Sequence, residues 1–189
     1  MTEWIFGYGS LVTDLVAGDA SSNRKWSWAK LLNFRRNWGA AMENAAADAD
    51  AKFYVDDSGV RPDLTIAFLD VYPSNLGNTN GVIFEVDEAR LIELDRREIR
   101  YSRTEVTEQI VAEQDLHGRV WTYRGNTKSV EVAKRGKELG RACASREYVE
   151  YCAHGFNLAG KEALHDFNES TDPLDLPVFD LTMVRYDEP

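Results

Sequence analysis

Glu3-Trp4-Ile5-Phe6-Gly7-Tyr8-Gly9-Ser10-Leu11 is the stretch from which the fold is read. Residues 3–9 look like a strand with apolar side chains on both faces, the mark of a strand covered on both sides. Two glycines then supply a turn, and a short helix is expected over 11–17. Glycine lets the backbone approach a ligand closely and adopt positive φ. Successive N–H groups at such a turn, or at a helix N-terminus, form a concavity for a carboxylate or for a carbonyl gaining negative charge. A tight turn that binds nothing fits the same residues, because Gly-x-Gly alone is a weak pattern.

Outward from this turn, a second strand is expected over 29–42, followed at 43–63 by an Ala/Asp-rich surface excursion that ends with Gly59 and Pro62. Strands resume at 65–71 and 81–86, joined by a Pro/Asn/Gly turn segment at 73–80. Asp87 suits the N-cap of a helix over 88–97. Extended segments follow at 103–113 and 118–124. Residues 146–168 are helical in pattern, with apolar Val149, Cys152, Phe156, Ala159, Ala163 and Phe167, and with Gly155 and Gly160 as interruptions. The tail, 173–188, carries the apolar run Val178–Val184, which suits a final strand or a surface arm. Strands outnumber helices and do not alternate with them regularly, so the class is α+β with a curved, mostly antiparallel or mixed sheet. The 189 residues fit one domain, 1–189, whose segment 146–189 is helix and arm.

The net charge is −10. An acidic domain is repelled by phosphate backbones, so nucleic acid is not an expected partner. No run approaches the ~20 apolar residues of a membrane span, and the first residues lack a signal-peptide pattern; a cytoplasmic protein without a membrane partner is expected. Cys143 and Cys152 have neither disulfide-framework nor zinc spacing and suit packing. His117, His154 and His165 have no ligand spacing, so no metal site is expected.

Positive charge is uneven. Arg96, Arg97, Arg100 and Arg103 crowd one segment, Asp87–Arg103, where Leu91, Leu94 and Glu98 stand at i, i+3 and i+7 and share a helical face. A carboxylate in line with an apolar stripe, near a helix C-terminus, is pushed toward neutrality by desolvation and by the dipole. Arg96, Arg97 and Arg100 push the other way. Such a carboxyl is tuned toward the range a general base needs. A helix-end glutamate in surface ion pairs is the competing reading. Glu93 and Asp95 lie on other faces.

Phe6-Gly7-Tyr8-Gly9-Ser10-Leu11 and Leu94-Asp95-Arg96-Arg97-Glu98, in this order, resemble the γ-glutamylcyclotransferase superfamily. Gly81–Val86 matches the Gly-Val strand between the two motifs, and Tyr101 and Trp121-Thr122-Tyr123 match later aromatic positions. Ser145–Gly155 is more loosely similar to a late Ser-x-x-Tyr helix. The resemblance is good from 1 to about 125 and weaker to about 170. It implies an α+β fold built on a small mixed β-barrel flanked by helices. It implies an amide-cleaving enzyme that uses a γ-glutamyl compound's own α-amine as nucleophile and releases 5-oxoproline, without a metal or organic cofactor. It assigns Glu98 as acid/base and Tyr8, Gly9, Ser10 and Leu11 as substrate-binding backbone. Tyr101 and Tyr123 either close the pocket or pack in the core. Ile99-Arg100 stands where many members have a glycine nearby, and the Arg-Gly and Pro-Gly elements of the glutathione-specific branch have no counterpart. The leaving group therefore stays open: an amino acid, the cysteinylglycine of glutathione, an ε-lysyl amine or a specialised metabolite. A catalytically silent module that senses a γ-glutamyl or carboxylate ligand is the alternative.

Overall fold

The strand β1 (Glu3–Gly7) is paired on both sides, antiparallel to β4 (Thr65–Val86) and parallel to β7 (Arg119–Gly125). Ile5 and Phe6 are both buried, although they point to opposite faces of the sheet. That is why the strand reads as continuously apolar. The computed structural model describes residues 2–18, 26–45 and 52–185.

The main sheet runs β5 (Tyr101–Glu105), β7, β1, β4, β2 (Trp26–Glu43) and β6 (Ile110–Ala112). The short β8 (Ala142–Ser145) adds to the start of β4, and β9 (Val178–Phe179) adds to β8. The α+β class and the mixed sheet agree with the expectation, but the sheet is open rather than a closed barrel. Its two ends, β5 and β6, are consecutive in the chain and joined through a 3₁₀ turn at Thr107–Gln109. The chain itself spans the seam there. A one-turn 3₁₀ segment directs its hydrogen bonds locally rather than into a ladder.

The long ribbon of β2 and β4 carries the curvature. Pairing runs from Trp26↔Phe84 to Glu43↔Thr65 with shifts between Leu32 and Phe34 and between Asn37 and Ala40. At the first shift Asn33 takes a left-handed conformation (φ 59°) and residues 74–77 bulge from β4. The turn signals at 73–80 thus produce a bulge within one 22-residue strand, not a loop between two.

Helix α1 (Ser10–Val16) follows the glycine turn, and α2 (Glu88–Arg97) begins where the Asp87 carboxylate accepts from the Arg90 N–H, a cap worth about 1 kcal/mol. Helix α3 (Thr127–Glu138), which the sequence reading did not anticipate, packs Gly136 against Thr65; a Cβ there would sit 2.6 Å from that side chain. Helices α4 (Arg146–Leu158) and α5 (Lys161–Glu169) are separated at Gly160, whose φ of 111° excludes most residues. Gly155 does not break α4. It lets α1 approach, and the Thr13 hydroxyl accepts from Gly155 N–H at 3.0 Å while donating to the Tyr151 carbonyl. No described helix is long and apolar enough to cross a membrane.

Within the segment 43–63, residues 46–51 lie outside the described residues. Lys52–Val55 forms β3, antiparallel to the tail strand β10 (Thr182–Arg185). Tyr54 is buried with Met42, Ile66, Phe68, Cys143 and Leu181 in a second small core. The Asn44 amide fixes β3 by accepting from Tyr54 N–H and donating to the carbonyls of Tyr54 and Pro62. Cys143 and Cys152 are both free and buried.

Candidate active site

Glu98 closes α2. Its N–H donates to Leu94 O at 2.8 Å, and fully buried Leu94 anchors the helix face that carries it. The side chain is 15% exposed. Burial raises the carboxyl above its ordinary value; Arg97, Lys52 and Arg100 pull it back, while Asp14 adds to the rise. Arg97 Nε lies 3.1 Å from Glu98 Oε1, its Nη1 2.6 Å from Asp14 Oδ2 and its Nη2 3.4 Å from Ser10 Oγ. One guanidinium therefore spans from Glu98 to the glycine turn.

The turn faces Glu98 across a narrow cleft of about 350 Å³, lined also by Phe6, Gly7, Leu69 and four tyrosines. Gly9 N-caps α1, and the first N–H groups of a helix have no intrahelical partner. A Cβ on Gly9 would stand 3.9 Å from the Tyr148 hydroxyl, so the backbone here borders the aromatic wall directly. Gly81 makes room behind the turn: a Cβ there would lie 2.3 Å from the Gly7 carbonyl.

The tyrosines are held by their hydroxyls. Tyr8 donates to Tyr123 O at 2.6 Å, Tyr123 to Asp95 Oδ1 at 2.8 Å and Tyr101 to Leu69 O at 2.8 Å. Leu69 N–H donates to the Tyr148 hydroxyl at 3.3 Å. Leu69 lies at the second β2–β4 shift, between the paired residues Phe68 and Asp70. Its backbone groups are met by tyrosines from β5 and α4, so the bulge is where the wall attaches to the sheet. Burial holds all four phenols above their ordinary range, and they remain neutral at physiological pH.

Solved structures of similar shape bear on this arrangement. A γ-glutamyl cyclotransferase aligns over 93% of this chain and 90% of its own, with a TM-score of 0.56 and 14% identity. The chain has a γ-glutamylcyclotransferase-like fold. An uncharacterized protein from Homo sapiens aligns over 92% and 90% (TM-score 0.55, 15% identity). A yeast γ-glutamyl cyclotransferase specific to glutathione aligns over 90% and 97% (TM-score 0.50, 16% identity). No family model and no curated protein matches the sequence.

On this γ-glutamylcyclotransferase-like scaffold, Glu98, Tyr8, Gly9, Ser10, Leu11, Tyr101 and Tyr123 all line one cleft. The other carboxylates of α2 stand elsewhere. Glu93 pairs with Arg90 at 2.8 Å, and Asp95 binds Tyr123 and lies 3.1 Å from Arg103. Arg100 is not among the residues lining the cleft; its guanidinium lies over the Phe68 ring.

Sequence reasoning missed Tyr148, Lys52 and Asp14. Tyr148 belongs to the Ser145-x-x-Tyr148 segment, and that spacing was the available signal. Lys52 arrives from β3 and stacks on Phe68 at 4.7 Å; burial lowers its ammonium to about 8. Nothing local marks Lys52 or Asp14. Among the described residues no group of three or more His, Cys, Asp or Glu is placed to hold a metal ion.

Proposed function

We propose that this protein is a cyclotransferase: it cleaves a γ-glutamyl amide by attack of the substrate's own α-amine and releases 5-oxoproline and a free amine or amino acid. The observation that carries the reading is the meeting of Glu98, a carboxyl raised by burial, with the Gly9-Ser10-Leu11 backbone in one small cleft. An unperturbed carboxylate is a weak base toward an α-amine of pKa ~8. A raised pKa brings acid and base strengths closer, which suits a group that must both take and return a proton.

The α-nitrogen forms a bond to the carbonyl carbon of the γ-amide, and Glu98 takes a proton from that nitrogen. The bond from that carbonyl carbon to the leaving nitrogen then breaks as the proton passes to the departing amine. Folding the glutamyl chain so that nitrogen faces the γ-carbonyl supplies effective molarity. The N–H groups of the turn hold the α-carboxylate or the oxyanion. Tyr101, Tyr123 and Tyr148 wall the cleft, and because the substrate's own α-amine is the nucleophile, no Ser or Cys nucleophile is needed. The small-molecule substrate class is the γ-glutamyl amides, with γ-glutamyl amino acids and glutathione as members to assay. Two free cysteines fit a reducing, cytoplasmic setting.

The ion pair between Arg97 and Glu98 favours a second reading, a silent module that binds the same ligands. Glu98→Gln separates the two. In the enzyme, turnover falls by roughly 10²–10⁴. Stability moves in a direction set by linkage. A carboxyl whose folded pKa is raised loses stability as pH rises from its unfolded value through its folded one. Wild type incurs that loss as pH rises and the Gln variant does not, so the stability of the variant relative to wild type increases with pH. Turnover and thermal unfolding measured on one preparation check both. Unchanged turnover in folded variant removes Glu98 from the chemistry.

A further inference from the structure

The side chain with the most unusual surroundings is Arg36, in β2 beneath the glycine turn. It is fully buried, and among the described residues its nearest electrostatic carboxylate partner, Asp166, makes no direct hydrogen bond to it. Its Nε donates to the Tyr8 carbonyl at 2.8 Å. Nη1 reaches Ser170 Oγ at 2.6 Å, Phe167 O at 3.3 Å and Thr171 Oγ1 at 3.3 Å; Nη2 reaches Asn80 Oδ1 at 2.7 Å and the Asn80 carbonyl. The rings of Phe167 and Phe156 lie 4.7 and 5.0 Å from the guanidinium carbon. Burying a cation without a directly bonded counter-ion is costly, even with its donors satisfied. A leucine and rearranged packing would be the less costly way to fill a core.

The cost has a return in geometry. All described peptide bonds are trans. In a trans peptide the C=O of one residue and the N–H of the next point in opposite directions. A guanidinium that draws the Tyr8 carbonyl toward the core therefore turns the Gly9 N–H away from Arg36, at a residue that lines the cleft. The same charge, lying just under the turn and only partly offset by the more distant Asp166, makes the cleft floor favourable to an anion at low local dielectric.

We propose that Arg36 is a positioning residue: it fixes the Tyr8–Gly9 peptide so that Gly9 N–H points at an anionic group of the bound ligand, and its buried charge supplies the field that favours that anion. The proposal rests on the cleft being the substrate site, and it deepens that reading by naming the residue that builds the anion-binding turn. Arg36 touches no substrate; it acts through the turn.

The test is an NMR titration of ¹⁵N-labelled protein with 5-oxoproline, followed at the Gly9 amide, beside steady-state assays. In wild type the Gly9 resonance moves with 5-oxoproline. In Arg36→Lys, which keeps a charge but loses the planar fork, the Gly9 response is lost and kcat falls on the order of 10²-fold, as for a mis-aimed donor. Ser170→Ala is the control for a merely structural role. It removes one far-side bond of Arg36, lowers Tm and leaves the Gly9 response and kcat in place. An Arg36→Lys protein with wild-type Gly9 response and kcat overturns the proposal. Should Arg36→Lys fail to fold, the wild-type titration decides: a Gly9 amide that ignores 5-oxoproline overturns the proposal, and one among the most shifted amides supports it. The two readings fail differently. A wild type that forms no 5-oxoproline while Gly9 still responds sinks the enzyme reading alone; turnover with a silent Gly9 sinks the role of Arg36 alone.

Discussion

A hollow elsewhere on the described surface is roomier than the Glu98 cleft and less chemical. The hollow, of about 860 Å³, lies at the first β2–β4 shift, lined by Asn33, Phe34, Pro73, Ser74, Asn75, Thr104, Glu105, Val106 and Gln109. The cleft at Glu98 is much the tighter of the two. The hollow exists because one strand bulges away from its partner. Its polar groups are side-chain amides and hydroxyls, and Glu105 is its lone ionisable lining residue among the described ones. The cleft exists because the ends of β1, α1 and α2 meet, with β5, β7 and α4 closing around them. Element ends bring unpaired N–H groups and a dipole-exposed carboxyl, whereas a bulge brings only a gap. Volume follows from how the sheet bends, and chemistry follows from where helices begin and end.

That contrast breaks most visibly at the glycines behind the turn. Gly81→Ala places a Cβ against the Gly7 carbonyl and the Phe6 ring, whose atoms already stand 2.7–2.9 Å from that position. We expect β1 to shift at its end and turnover to fall by about 10²-fold, the scale of a 1 Å misplacement. Turnover compared with thermal unfolding checks it; a stable variant with full turnover shows that the turn's placement is irrelevant.

Next in size is the electrostatic link from β3. The Lys52 charge favours the Glu98 anion. Lys52→Met keeps the stem against Phe68 but removes the charge, so the Glu98 pKa rises further and the acid limb of the kcat/KM profile moves to higher pH. Lys52→Arg leaves the limb close to its wild-type position. A pH–rate series on the three proteins measures this, and an unmoved limb in Lys52→Met uncouples Lys52 from the cleft.

Smallest of all is the effect at the hollow. Asn75→Ala and Gln109→Ala should change stability by no more than about 0.5 kcal/mol, as surface substitutions do, and leave turnover at wild-type level. A tenfold loss of turnover in either variant would make the hollow part of the site.

How much of this the sequence discloses depends on the reach of each contact. The strand–turn–helix at 3–16 and the Asp87-capped helix ending at Glu98 are legible because their signals are local: glycine spacing, a cap, an apolar stripe. The segment 73–80 carries true turn residues, yet long-range pairing with β2 resumes beyond the bulge and makes one strand of two. Helix α3 escapes notice because only Ser129, Ala133 and Gly136 on it are buried, a stripe without large apolar residues. Tyr148, Lys52 and Arg36 meet the site from positions far from its motifs in the chain, joined by rings and carbonyls that no periodicity encodes. The closed barrel that the resemblance implies is not formed: β5 and β6 end the sheet and are joined through a 3₁₀ turn rather than paired.

The central claim is that the Glu98 cleft performs intramolecular amide cleavage, and the product assay tests it most directly. Purified protein is incubated with a panel of γ-glutamyl amino acids, γ-glutamyl amines and glutathione, in the presence of a chelator and without added cofactor, and the products are separated. The account predicts 5-oxoproline together with the free amine from at least one compound. Glutamate in place of 5-oxoproline, or no product from any member of the panel, would contradict it.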